Sequence, residues 1–175
     1  MTVAPADGLD LDDTAAVTWQ LGRVPRGVVD VAHRCPCGDP DVVMTAPRLP
    51  DGTPFPTLFY LTCPAAASAI GTLESTGLMR EMETRLETEP GLRDAYRAAH
   101  ESYLATRQEV GVVPEIDGIS AGGMPLRVKC LHVLAGHSLA AGPGVNPFGD
   151  EVIAELGEWW ATGGCRAARA ISVDS

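Results

Sequence analysis

Hydrophobic residues follow two different periods along the chain, and the first third of the chain carries the shorter period. Three runs between residues 28 and 61 are rich in β-branched and aromatic side chains and are separated by Gly, Pro and Asp: 28–32, 41–45 and 55–61. Consecutive strands with short connections usually form an antiparallel meander. This part of the chain therefore predicts a small antiparallel three-stranded sheet.

Helical spacing dominates the remaining chain. A short helix is predicted before the sheet, with Asp12, Asp13 or Thr14 at its start and Gly22 at its end. Further helices are predicted over 65–75, 78–86, 90–103, 128–141 and 150–160. The 128–141 run is apolar on most faces, which indicates a buried, central helix. The predicted fold class is α+β, with the sheet packed against about five helices.

Length and composition predict one domain with a tail at each end. Residues 1–12 are small and acidic with no apolar period, so we expect a flexible tail, then a single globular domain over 13–162 and a second flexible tail over 163–175. Cys165 falls in the second tail and is not expected to belong to a site. A chain of 175 residues buries about two-thirds of its unfolded surface, so it needs neither metal nor disulfide to fold.

Charge and cysteine usage limit the classes of function. The net charge of -10 gives a surface that repels nucleic acid and anionic lipid, so neither is an expected partner. The first residues form no export signal, and no apolar run approaches the roughly 20 residues that span a bilayer, so we expect a cytoplasmic protein. The five cysteines are then expected to be reduced thiols or metal ligands and not disulfides.

The cysteines supply the most direct indication of chemistry. In a meander the first and third strands run in the same direction, so Cys35 and Cys37 should lie at the same sheet edge as Cys63, within roughly 10 Å. Cys130 is predicted near the start of a later helix, where the helix dipole favours a thiolate. Thiolates select zinc or an iron–sulfur cluster. We therefore predict a metal site formed by Cys35, Cys37, Cys63 and Cys130.

The kind of metal centre stays open between zinc and an iron–sulfur cluster. Cys-Pro occurs at Cys35 and at Cys63, a feature of some cluster-binding segments, whereas the Cys-x-Cys spacing of Cys35 and Cys37 is less usual for a zinc finger.

Two interpretations of these thiols without a metal also stay open. Free cysteines are also among the most buried residue types, so these thiols could simply pack in the core. The other interpretation without a metal is a redox pair or a catalytic thiol.

Three histidines are candidate ligands or neighbours of ligands: His33, His132 and His137. His33 lies two residues before Cys35, although it could equally make a backbone hydrogen bond. On a regular helix His132 points roughly 160° away from Cys130, so the two should seldom share an ion. His137 lies seven residues after Cys130, about 10.5 Å along the helix axis, so we expect it to be a core residue more than a ligand. His100 is expected to pack or to lie at an interface.

A second group of residues indicates anion binding. Gly122 and Gly123 precede the predicted helix start, and Arg127 and Lys129 follow in what should be its first turns. Backbone amides and cations in this arrangement can hold a small anionic ligand. Its position beside Cys130 would place such a ligand next to the metal, although an ordinary loop-to-helix junction explains the same pattern.

Several literal blocks of the sequence carry a family resemblance: residues 20–23, 31–38, 47–57, 61–64, 79–82, 122–125, 127–132 and 142–147. With these blocks the chain resembles, from about residue 13 to 160, a bacterial family known only as domain of unknown function 501, found mainly in high-GC Gram-positive bacteria. The resemblance implies no established activity. The expected site must therefore stand on the residues alone.

The sequence thus predicts a cytoplasmic protein with a cysteine-based metal or iron–sulfur site, and it leaves open an enzyme that acts on a small anionic substrate and a closed site with a structural or electron-transfer role. An open coordination position would require that only three thiolates bind the metal. The alternative is a protein-interaction module with structural thiols and no metal, in which Trp159 and Trp160 contact a protein partner.

Overall fold

The computed structural model describes residues 8–161 and 165–173. Within them the strands are β1 (Val28–Arg34), β2 (Pro40–Thr45) and β3 (Phe59–Leu61). The helices are α1 (Leu11–Leu21), α2 (Pro64–Glu74), α3 (Leu78–Thr88), α4 (Pro90–Val110), α5 (Leu131–Ala141), α6 (Pro147–Leu156) and α7 (Cys165–Val173), with a short 3-10 turn at Pro114–Ile116. The predicted α+β class is confirmed.

The sheet is an antiparallel meander with strand order β1-β2-β3, as predicted. β3 is shorter than the predicted strand over 55–61. Pro56 has no backbone N–H to donate to a sheet, and the N–H of Phe55 bonds instead to the carbonyl of Pro47 at 2.8 Å. Pairing with β2 therefore begins at Phe59, which lies opposite Met44.

Side chains on β2 alternate between two hydrophobic clusters. Val42 belongs to the main core, which also contains Phe59 and the apolar residues of α5. Its neighbour Val43 points the other way and packs with Val17 of α1 and Val28 of β1. The period of two residues in a strand thus gives this short sheet a covered surface on both sides.

Helix α5 is the buried helix that the apolar run predicts. Leu131, Leu134 and Ala135 have no exposed surface. Small residues let it approach its neighbours: a Cβ built on Gly136 would lie 3.2 Å from the carbonyl oxygen of Phe59, and one built on Gly149 of α6 would lie 2.1 Å from that of Leu134. The backbone of α5 therefore packs closely against the backbones of β3 and α6.

The start of α5 lies later than predicted. The N–H of Arg127 bonds to the carbonyl of Gly123, and that of Lys129 bonds to Gly122, both at 2.8 Å. These bonds hold residues 122–129 in a compact loop that precedes the helix. The prediction that Arg127 and Lys129 lie in the first helical turns is therefore wrong.

The segment 163–175, expected to be a tail, contains α7. Cys165 at its first residue is 4% exposed and packs with Cys63 and Ala66, and Arg169 forms an ion pair with Asp39 at 2.9 Å. Trp159 packs against the same small cluster. These contacts connect non-adjacent parts of the chain, which local sequence patterns do not report.

Among the described residues, no helix combines the length and the apolar composition required to cross a bilayer.

Substitution of alanine for two helical glycines should separate helix propensity from packing. Gly149→Ala should lower the free energy of unfolding by about 1–3 kcal/mol, because the new methyl group meets a backbone carbonyl. Gly71→Ala on α2 has nothing within 4 Å of the new methyl and should raise stability by about 0.5–1 kcal/mol. Urea unfolding measures the free energy of unfolding of both variants. Equal stabilities would contradict the close packing of the α5 backbone against α6.

Candidate metal centre

Three side chains bring ligand atoms of different chemistry to one point. One ligand atom each from Glu74, Cys130 and His132 lies within 4.8 Å of the other two. In the described part of the chain, no other group of three His, Cys, Asp or Glu residues meets this condition. Glu74 is the last residue of α2, Cys130 is the N-cap of α5, and His132 is the second residue of α5.

The backbone at Cys130 explains why its side chain meets that of His132. Cys130 has the extended dihedrals φ -155 and ψ 108, so it lies outside the regular helix. The angular separation expected for two helical residues therefore does not apply. Its Sγ lies 4.0 Å from Nδ1 of His132. The expectation that these two side chains diverge is wrong, because it assumed a helical Cys130.

Glu74 and a backbone carbonyl fix the imidazole of His132 from both sides. Glu74 Oε1 lies 3.2 Å from His132 Nδ1 and also accepts the backbone N–H of Leu131 at 2.8 Å. On the far side of the ring, His132 Nε2 lies 3.1 Å from the carbonyl oxygen of Ala67. Metal-binding histidines commonly donate their second ring N–H to such a carbonyl, which leaves the other nitrogen for the metal. Here that nitrogen is Nδ1, beside the sulfur and the carboxylate.

Both titratable groups of the Cys130–His132 pair are shifted toward their charged forms. Hydrogen bonding to Cys130 raises the pKa of His132 to about 9, with Glu74 acting in the same direction against burial. Burial alone would raise the pKa of Cys130, but His132 and the amide of Val133 outweigh it and the pKa is lowered. Thiolate is the form of cysteine that binds metals and attacks electrophiles.

A cleft of about 500 Å³ opens beside this group, and Cys130 and His132 form part of its wall. Its apolar lining comes mainly from β3, and its polar lining includes Gln20, Thr57 and Thr62. Oε1 of Gln20 is buried and has no hydrogen-bond partner in the protein. The cleft therefore offers access to the sulfur and the imidazole.

The other predicted cysteines lie elsewhere. Cys63 is the N-cap of α2, at the opposite end of that helix from Glu74. Cys37 packs against the cluster of Cys63 and Cys165, and hydrogen bonding links Cys35 with Cys37. Burial, together with Cys37, raises the pKa of Cys35 to about 12. The structure thus brings Cys35, Cys37 and Cys63 to one region and gives Cys130 different partners.

The remaining histidines do not face the Cys130 group. His33 Nδ1 lies 2.7 Å from Oδ1 of the buried Asp41, and this hydrogen bond raises the pKa of His33. His137 is 1% exposed and stacks on the ring of Phe59 with centroids 5.7 Å apart. His100 Nδ1 lies 2.8 Å from the hydroxyl oxygen of Ser120.

The two candidate anion-binding cations do not line the cleft at Cys130. Arg127 lines a separate cavity of about 440 Å³ together with Glu83, Glu87 and Arg93. Lys129 is exposed next to Cys130. The first amide of α5, at Leu131, already donates to Glu74. That amide is therefore not free to hold an anion as the sequence pattern suggested.

The fold and this group together define an α+β protein with a glutamate–cysteine–histidine cluster on the wall of an open cleft. A family model described as "Protein of unknown function (DUF501)" matches residues 31–154. The chain belongs to this family, which confirms the resemblance seen in the sequence. No curated protein and no solved structure matched the chain. The matched range contains Glu74, Cys130 and His132, whereas Cys165 lies beyond it.

The buried His137 should make stability depend on pH. Burial lowers its pKa from 6.5 to about 4, so the unfolded chain takes up the proton first as pH falls. Stability is then fully present above about pH 6.5, and His137 should contribute a loss of about 3 kcal/mol by pH 4. The free energy of unfolding of His137→Gln, measured between pH 7 and pH 4.5, should therefore fall less than that of the wild type.

His100→Gln is the control for this measurement, since it removes a histidine with a Ser120 partner and leaves His137 in place. It should keep most of the wild-type slope. A His137→Gln protein with the full wild-type slope would contradict the assignment of this pH dependence to His137.

Proposed function

We propose that this protein is a zinc protein in which Glu74, Cys130 and His132 bind the ion and the cleft supplies access for a small substrate. The observation that carries the proposal is the convergence of the three ligand atoms within 4.8 Å of one another. Sulfur, imidazole nitrogen and carboxylate oxygen are all ordinary zinc ligands.

The spacing of the ligand atoms supports zinc. In a tetrahedral site with ordinary bond lengths, sulfur and nitrogen are separated by about 3.6 Å and nitrogen and oxygen by about 3.4 Å. The structure has 4.0 Å between Cys130 Sγ and His132 Nδ1, and 3.2 Å between that nitrogen and Glu74 Oε1. Zinc would replace the protons between these atoms with movements of a few tenths of an ångström.

The number of protein ligands supports a catalytic role. Catalytic zinc sites typically have three protein ligands and an exchangeable fourth position, and zinc lowers the pKa of a water bound there to about 7. Glu74, Cys130 and His132 supply such a set, and the cleft lies on the side of Cys130 and His132. We therefore propose zinc-assisted chemistry on a small polar substrate.

The chain's own residues would then hold and orient that substrate. The apolar wall from β3 excludes water from one side, while Thr57 and Thr62 supply polar groups to the lining. Lys129, exposed beside Cys130, is the cation that we assign to attracting an anionic substrate. Arg127 has no such assignment because it lines another cavity. The setting that suits these reduced thiols is the cytoplasm.

A metal-free cysteine enzyme is the second candidate. The observation that favours it is the same pair: Cys130 Sγ lies 4.0 Å from His132 Nδ1, and the carbonyl of Ala67 accepts from Nε2 on the other side of the ring. Cys130 would be the nucleophile, His132 the base and the Ala67 carbonyl the group that orients the base. The two candidates differ in whether the protein retains an ion.

Zinc content of protein purified without oxygen is the test. Cys130→Ser and Glu74→Gln should each lose about one zinc per chain, or bind it on the order of 100-fold more weakly, because each removes one of only three ligands. Glu83→Gln is the matched control: Glu83 caps the amide of Val128 at 3.1 Å much as Glu74 caps Leu131, but lies outside the cluster. Its zinc content should equal that of the wild type.

Two results would overturn the zinc proposal. One is a Cys130→Ser protein that keeps every zinc of the wild type. The other is the same unchanged zinc count together with rapid alkylation of Cys130 by iodoacetamide in the wild type. Those two results together would favour the metal-free enzyme.

A further inference from the structure

Four cysteines from three distant segments lie in one region at the opposite end of α2 from Glu74. Cys35 and Cys37 lie in the turn after β1, Cys63 is the N-cap of α2, and Cys165 is the first residue of α7. The sulfurs of Cys63 and Cys165 are 3.1 Å apart, and all five cysteines of the chain are free thiols. Cys37 packs against the cluster that these two form with Ala66.

Helix α7 also contacts the turn that carries Cys35 and Cys37. The turn closes with a hydrogen bond from the N–H of Gly38 to the carbonyl of Cys35 at 2.8 Å. A Cβ built on Gly38 would lie 2.7 Å from Nη1 of Arg166, and Arg169 pairs with Asp39 at 2.9 Å. The turn and the start of α7 are thus held against each other independently of the thiols.

Three of the four cysteines are shielded from solvent, and Cys37 is partly exposed. Cys35, Cys63 and Cys165 are each less than 5% exposed, and Trp19, Leu61 and Trp159 cover the cluster. The indole Nε1 of Trp159 is buried and has no hydrogen-bond partner in the protein. A buried donor of this kind needs an acceptor, and a metal-bound thiolate is a much better acceptor than a neutral thiol.

The thiols compete for protons within this enclosure. Hydrogen bonding between Cys63 and Cys165 raises the pKa of the first and lowers that of the second. The backbone amides of Ala65 and Ala66 act to lower the pKa of Cys63. Burial favours the neutral thiols at Cys35 and Cys63, so a metal ion would have to displace their protons when it binds.

We propose that Cys35, Cys37, Cys63 and Cys165 form a second zinc site, with four thiolate ligands and no open position, that fastens α7 to the sheet and to α2. This site is separate from the Glu74–Cys130–His132 centre and has a structural role. Its fourth ligand is Cys165, which the sequence analysis assigned to a tail, whereas the ligand set predicted from the sequence had Cys130 in that place.

Zinc loading requires a small rearrangement of these side chains. In a tetrahedral four-sulfur site the sulfurs are about 3.8 Å apart, so the Cys63–Cys165 pair must open by about 0.7 Å from its 3.1 Å spacing. The Cys35–Cys37 turn must close onto that pair, since no three of these sulfurs lie within 4.8 Å of one another in the described chain. Binding releases the thiol protons to solvent.

Zinc counting on anaerobically purified full-length protein separates the two sites. The wild type should hold about two zinc ions per chain, and Cys165→Ser and Cys130→Ser should each hold about one. Arg48→Gln breaks an ion pair to Glu115 that belongs to neither site and keeps every thiol, so it is the matched control and should keep both ions. If Cys130→Ser alone lowers the count, this second site is wrong and the proposed function stands; if Cys165→Ser alone lowers it, the reverse holds.

A measurement on the wild type covers the case in which Cys165→Ser does not fold. Cobalt replacing zinc should give the intense sulfur-to-cobalt absorption of a four-thiolate site, well above that expected from Cys130 alone. Removal of the metal with a chelator should raise amide hydrogen exchange in 165–173 at least 10-fold and leave the exchange of α4 unchanged. A single-thiolate spectrum, unchanged exchange in 165–173, or a Cys63–Cys165 disulfide in reducing buffer would each overturn the proposal.

Discussion

The close packing of α5 between β3 and α6 is the constraint on which the candidate centre depends. Gly136 and Gly149 bring backbone against backbone on two sides of this helix, so its position along its axis is fixed. Its first residue then presents an amide to Glu74, and the same carboxylate oxygen contacts His132. One oxygen atom thus satisfies the start of a buried helix and contributes to a ligand group. The cluster is a product of core packing more than of any local motif.

The parts of the fold that could be predicted are those with local causes. The meander follows from β-branched runs separated by Gly and Pro, and the two-residue period of a strand sends Val42 and Val43 to opposite cores. The apolar run near residue 131 contains too few polar positions for an exposed face, so its burial was predictable. The position of Cys130 at the helix start was predictable for the same reason.

The parts that could not be predicted depend on backbone dihedrals or on tertiary docking. An extended Cys130 turns its sulfur toward His132, and no residue pattern reports that dihedral. Glu74 has no sequence signal at all, because it meets Cys130 only through the packing of α2 on α5. Cys165 follows a stretch with weak periodicity, and its burial comes from contacts with Cys63 and Ala66, about a hundred residues earlier. Long-range contacts of this kind leave no local period.

Helix α2 starts directly after Cys63, beside the four-thiol cluster, and ends inside the other group at Glu74. Its 11 residues extend over about 16 Å, too far for the two groups to share an ion. A helix this short behaves as a rigid rod, so an axial shift at its first turn appears undiminished at its last. The two proposed zinc sites would therefore be joined by one rigid element, so an ion bound at either end would restrain the residue that α2 contributes to the other.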